Sequence, residues 1–188
     1  MPDLRLFLDS YKDRLKNALD LIDLQTLEFL FDDIKKCQIN GNKIIIFGNG
    51  GSAANSIHIA NDFIYGATKN DPRGLDIVSL SANSAVLTCL ANDVNFSEIY
   101  SHQIKSIAKK GDIVIALSGS GNSKNILQAL RVSRTLGLKT YGVYGFDGGQ
   151  ALSITDEVFH ININDMQISE DIQLIIFHIL MQWMSRKD

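Results

Sequence analysis

Five short runs of mostly branched apolar residues recur along this chain, each set apart from the next by a stretch with helical periodicity. The runs are KIIIF (43–47), LDIVSL (75–80), DIVIAL (112–117), KTYGVY (139–144) and EVFHINI (157–163). They are apolar almost throughout rather than at every second residue, a pattern that suits a strand buried on both faces. Helices are expected between them, near 52–65, 83–92, 97–109, 123–136 and 169–185. Strand and helix in alternation give an α/β class fold, a doubly wound parallel five-stranded sheet flanked by helices.

Two more helices are expected ahead of the sheet, with Leu4, Phe7, Leu8 and Tyr11 on one stripe and Leu24, Leu27, Leu30, Phe31 and Ile34 on another. INGN at 39–42 closes this segment with a turn signal. No repeat or composition break divides the 188 residues, so 1–188 reads as a single domain with 1–38 as a helical extension. Stripes this apolar suit packing on the sheet or on another subunit, and a homo-oligomer is the expectation.

Composition closes off several classes of function. A net charge of −3, with Lys and Arg spread along the chain, leaves no electrostatic footprint for nucleic acid. The first residues mix Asp with Lys and Arg and resemble neither a signal nor a transit peptide. The late apolar stretch IQLIIFHILMQWM is too short to span a bilayer and carries His and Gln, so it reads as a long, buried C-terminal helix. No membrane partner is expected, and the cytoplasm is the default location. Cys37 and Cys89 lack metal-site or redox spacing and read as buried or half-buried thiols.

Chemistry is expected where a parallel sheet offers it, in loops beyond the carboxyl ends of the strands. GNGGS (48–52) follows the first strand and opens a helix, and SGSGNS (118–123) follows the third and opens another. Free amides and the dipole at a helix start favour an anion. A P-loop would need Gly-Lys-Ser/Thr, which is missing. Gly48, Gly50 and Ala53 fit the G-x-G-x-x-A dinucleotide pattern, yet the acidic residue it requires after the second strand is replaced by SLSANS. No nucleotide cofactor is therefore expected. A phosphosugar pocket made of serine- and glycine-rich loops accounts for both loops together.

His58 and Asp62 stand four residues apart and share a helix face with Asn55, while Ala53, Ile57, Ala60 and Ile64 form a neighbouring stripe expected to face the core. Asp62 near the end of its helix opposes the helix dipole and so gives the helix nothing. His178 alone, inside an apolar helix, reads as a packed core histidine. Glu170 and Asp171 follow Ser169 and read as acids after a helix cap.

Taken in order, FGNGGSAANSIHIAND, LANDVNFSEIYSHQI, GDIVIALSGSGNSKNIL and IFHILMQ resemble the sugar isomerase (SIS) domain, and within it the phosphoheptose isomerases. The resemblance covers nearly the whole chain. It implies substrate binding by Asn49, Gly50, Gly51 and Ser52 of the first loop, by Asn92 and Asp93, and by Ser118, Gly119, Ser120 and Ser123 of the second. It implies aldose–ketose isomerisation with Asp62 and His178 as catalytic groups, and a zinc-type metal held by His58, Asp62, Glu170 and His178. It also implies a tetramer with a phosphosugar substrate. The chain departs from the family pattern at four places: Asp62 stands for Glu, Glu170 for Gln, Gln173 for His, and NDMQIS lacks an Arg.

Overall fold

A computed structural model describes residues 3–67 and 74–186. Two helices, α1 (Leu4–Leu19) and α2 (Leu24–Asn40), lead into a five-stranded sheet: β1 (Lys43–Gly48), β2 (Asp76–Ser79), β3 (Ile113–Ser118), β4 (Lys139–Tyr144) and β5 (Glu157–His160). All pairs are parallel and the order is β2-β1-β3-β4-β5. The intervening helices are α3 (Gly51–Tyr65), α4 (Ser84–Asp93), α5 (Ser101–Ile107) and α6 (Lys124–Thr135), and α7 (Met166–Met184) closes the chain.

The unbroken apolar strands are explained by two cores, one on each side of the sheet. Ile44 and Ile46 point into a core shared with α2, α3 and α7, whereas Ile45 and Phe47 point into one shared with α5 and α6. Successive side chains of a strand face opposite ways, so every residue of β1 from Ile44 onward needed to be apolar.

Several boundaries differ from the expected ones for local reasons. The helix expected at 97–109 is split into a short 3-10 turn, Phe96–Glu98, and α5. α7 begins three residues early, because Asp165 is its N-cap and accepts from the Ile168 amide at 3.1 Å. Ser169 is therefore no cap; its buried hydroxyl donates back to the Asp165 carbonyl at 2.7 Å. The stripe assigned to the α3 core is also corrected. Ile57 and Ile64 are 43% and 56% exposed, and the buried face of α3 is Ser52, Ser56, Ile59, Ala60 and Phe63. Cys37 is buried, its thiol pushed up to about 11 mainly by that burial. Cys89, expected at least half-buried, is exposed, since no residue of α4 is buried.

Candidate active site

The strand order turns back on itself between β1 and β3, and such a switch point leaves a crevice at the carboxyl ends of those two strands. The strands end level, with Gly48 beside Leu117, so GNGGS and SGSGNS emerge side by side. Gly50 is the N-cap of α3 and supplies no side chain, which leaves the first amides of that helix uncapped.

Each loop is braced from behind. Asn49 donates from Nδ2 to Asn125 Oδ1 at 2.8 Å, and Asn125 Nδ2 donates back to Asn49 Oδ1 at 2.7 Å. Tyr100 donates to the Gly48 carbonyl, as does Ser81 at 3.0 Å. Behind the serine loop lies GFDGGQA (145–151), a brace that its loop-like composition did not announce. Its Gly145 amide donates to the Gly119 carbonyl at 2.9 Å and its Ala151 amide to the Gly121 carbonyl at 3.0 Å. Asn122 completes the brace by accepting from the Gln150 amide at 3.0 Å and donating to the Ser120 carbonyl at 3.2 Å. Phe146, in the left-handed region at φ 48°, is held by the Ile163 carbonyl and by His160 Nε2, 3.0 Å from its own carbonyl.

The predicted binding residues divide by environment. Ser120 and Ser123 are part-buried at the loop surface, where hydroxyls can meet a ligand. Ser118 is buried and accepts from the Gly121 amide at 3.0 Å, which shapes the loop. Ser52 is buried as well and accepts from Gln173 at 3.0 Å. Asn92 and Asp93 stand exposed at the end of α4, bonded to each other at 2.8 Å. That bond, with a weaker one from Cys89, holds the Asp93 carboxyl below its ordinary range. Among the described residues no hydrogen bond ties this pair to either loop.

Farther along α3 the structure brings three of the predicted groups together. Asp62 Oδ2 lies 3.4 Å from His58 Nε2 and 3.3 Å from His178 Nε2 of α7. The two Nε2 atoms are 3.1 Å apart. One turn of α3 explains the first contact, and the packing of α3 on α7 explains the others. Asp62 reaches both imidazoles with its short side chain. Among the described residues these three side chains form the group able to surround a metal ion, their ligand atoms all within 4.8 Å of one another. Two imidazole nitrogens and a carboxylate oxygen are donors that zinc accepts, and three such ligands leave a coordination position open.

Glu170 is not in that group. It lies eight residues before His178, about 12 Å away along α7 at 1.5 Å per residue. Its carboxylate sits instead on Gly51: a Cβ built on that glycine would fall 2.3 Å from both carboxylate oxygens. Gly51 is thus the residue that lets an acid approach the start of α3. Gln173 is fully buried, donating to Ser52 and accepting from Asn55 Nδ2 at 3.0 Å. Asn55 also donates to the Glu170 carbonyl at 2.9 Å, so it clasps α3 to α7 rather than facing a ligand.

The sequence model of the SIS domain matches residues 7–145. The chain belongs to the SIS-domain family. Among similar proteins is a phosphoheptose isomerase of Helicobacter pylori (strain P12), 33% identical over 97% of this chain and 88% of that protein. Another is a phosphoheptose isomerase of Aliarcobacter butzleri (strain RM4018), 38% identical over 76% of this chain and 75% of that protein. A solved phosphoheptose isomerase structure from Francisella tularensis shares the fold, with a TM-score of 0.90 and 21% identity over all of both chains. The SIS match begins inside α1, so the leading helices are part of the shared frame. Among the described residues no helix is long and apolar enough to cross a membrane.

Proposed function

We propose that this SIS-domain protein is a phosphoheptose isomerase, which interconverts sedoheptulose 7-phosphate and a manno-heptose 7-phosphate for heptose precursors of lipopolysaccharide, capsule or glycan. The names of its relatives support the reaction, and one geometric observation carries the reading for this chain. The glycine loop opens α3, and seven residues later the same helix presents His58, about 10 Å further along its axis. An open seven-carbon sugar phosphate is also about 10 Å long, counting six carbon–carbon bonds of about 1.5 Å in zigzag plus the ester. Phosphate at the loops therefore places the first carbons of the sugar at His58, Asp62 and His178.

The phosphate rests on the first amides of α3 and on the hydroxyls of Ser120 and Ser123. Asp62 removes the proton from C1 of the ketose and returns it to C2, by way of an enediol. His178 carries the proton that must pass between the two oxygens. Asp62 turns Oδ2 to the two histidines, and Oδ1, which carries only a long 3.4 Å contact from Asn61 Nδ2, serves as the basic atom. His58, Asp62 and His178 would hold a zinc ion, which when bound supplies Lewis-acid polarisation of the carbonyl. Glu170, above Gly51, stands at the phosphate end of the sugar, where a carboxylate accepts hydrogen bonds from the neighbouring hydroxyls.

The working form is a homotetramer in the cytoplasm, built on the single SIS domain with its helical extension. Its support is the apolar stripe of α1, where Leu4, Phe7 and Leu8 are 78%, 60% and 50% exposed and a second copy would cover them. The test of function is conversion of sedoheptulose 7-phosphate by the purified protein, with and without added zinc. Aldose formation is the expected result. Saturable binding without turnover in either condition would make the protein a phosphosugar-binding member of the family instead.

A further inference from the structure

The amide pair behind the glycine loop has a fixed polarity. The geometry points to Asn125 as the positioning residue that aims one N–H of Asn49 at the phosphate end of the sugar, an inference that rests on the two loops being a phosphosugar site. A free asparagine can present either its oxygen or its nitrogen to a ligand. Here the choice is made from the protein side. The Ile126 amide donates to Asn125 Oδ1 at 3.0 Å, so that atom must be the acceptor. Asn125 Nδ2 is then the donor to Asn49 Oδ1, and Asn49 Nδ2 the donor to Asn125 Oδ1. Turning the Asn49 amide over would set donor against donor at Asn125 Nδ2 and acceptor against acceptor at Asn125 Oδ1.

An asparagine side chain has two N–H donors and one oxygen with two lone pairs. In Asn49 the oxygen and one N–H face inward, both paired with Asn125. Among the described residues the second N–H meets no acceptor, and the side chain is only part-buried. It stands beside the uncapped start of α3, where a further donor suits an anionic oxygen. Asn125 is 1% exposed and cannot touch a ligand, so it acts only through Asn49.

The experiment is a double-mutant cycle read by calorimetry, with sedoheptulose 7-phosphate and inorganic phosphate as probes. Asn49→Ala and Asn125→Ala should each weaken binding about tenfold, the loss of one hydrogen bond to a charged group. The double variant should bind no more weakly than Asn49→Ala, within about twofold, because Asn125 has nothing left to aim. In steady-state assays the Asn125→Ala loss should fall on KM rather than kcat. Losses that multiply to about a hundredfold would overturn the relay. Asn125→Leu, close to asparagine in size, asks the same question without opening a cavity: it should weaken binding about tenfold in the parent and not at all in the Asn49→Ala background, and an equal loss in both overturns the relay. If the parent protein binds neither probe, the phosphosugar reading fails with it, whereas normal parent binding with multiplying losses sinks the relay alone.

Discussion

Gly121→Ala should be among the most damaging single changes in the chain, and Gly137→Ala supplies its internal control. Both glycines are left-handed, at φ 61° and 68°. An alanine there costs about 1–2 kcal/mol in backbone strain, part of which is offset by the lower freedom of the unfolded chain. At Gly137 nothing lies within 4 Å of the added Cβ, so strain is the whole cost, about 1 kcal/mol net. At Gly121 the added Cβ falls 1.9 Å from the Gly148 carbonyl oxygen. That oxygen is backbone and cannot swing away. The serine loop and its brace must separate by more than about 1 Å, and overpacking of this kind costs a further ~1–3 kcal/mol. The sum is about 2–4 kcal/mol. At roughly 2–4 °C per kcal/mol for a chain of this length, the Gly121→Ala melting temperature should fall by about 10 °C and that of Gly137→Ala by about 3 °C. Thermal melts by circular dichroism measure both, and calorimetry with phosphate on the folded variants should show binding lost only in Gly121→Ala. Equal melting temperatures for the two variants would refute the argument that the 145–151 segment braces the serine loop.

Asp62→Asn should abolish isomerisation while phosphosugar binding survives, and elemental analysis shows whether bound metal leaves with the charge; full activity in this variant would end the role of Asp62 as base. Gln173→Leu should destabilise the protein by about 2–3 kcal/mol in urea titrations, because Ser52 and Asn55 would each lose a partner in a buried setting. Tyr11 donates to Asp171 at 2.6 Å, chiefly through which its phenol is pushed up to about 12. The unfolded chain ionises this group near 10, so its stabilisation is complete below about pH 10 and is lost as pH rises toward 12. Tyr11→Phe should accordingly flatten the alkaline limb of the stability curve, as followed by chemical denaturation at stepped pH. Removing residues 1–38 should uncover Ile34-facing core and yield aggregates or smaller particles by light scattering; a soluble particle with the parent's subunit count would exclude these helices from the interface.

The fold was legible because its signals are local and repeated. The strands are apolar at most positions, and turn signals separate the elements, as where Gly41 adopts φ 67° between α2 and β1. The buried face of α3 is not marked by its apolar residues alone. Ser52 and Ser56 are buried instead because they find partners in Gln173 and Ser79, the latter at 2.8 Å. Buried hydroxyls with partners are tolerated, and no periodicity in one segment reveals a partner over a hundred residues away. Ile57 and Ile64 are left outside by the same rotation, and they join the exposed apolar residues of α1 as surface a second copy could cover.

The site was legible in its residue types and opaque in its groupings. His58 and Asp62 share a face by simple helical spacing, but His178 lies 120 residues from His58, and only the packing of α7 on α3 closes the triangle. Glu170 shows how one misplaced boundary changes a chemical reading. With Ser169 taken as the cap, Glu170 would sit in the first turn, and its charge would need no further reason. With Asp165 as the cap, Glu170 belongs to the second turn, where the dipole of its own helix gains little from it. Its carboxylate instead lies across Gly51 at the amino end of α3, so it is the dipole of the neighbouring helix that favours it. An acid held there also stands close to where the phosphate would rest, and like charges at close range repel. Glu170→Gln should therefore tighten inorganic phosphate, which gains only from the lost repulsion, more than it tightens sedoheptulose 7-phosphate, whose hydroxyls lose a charged acceptor. Calorimetric titration of both ligands against both proteins reads the difference directly. If the two affinities change by the same factor, the carboxylate acts on the phosphate alone and has no contact with the sugar.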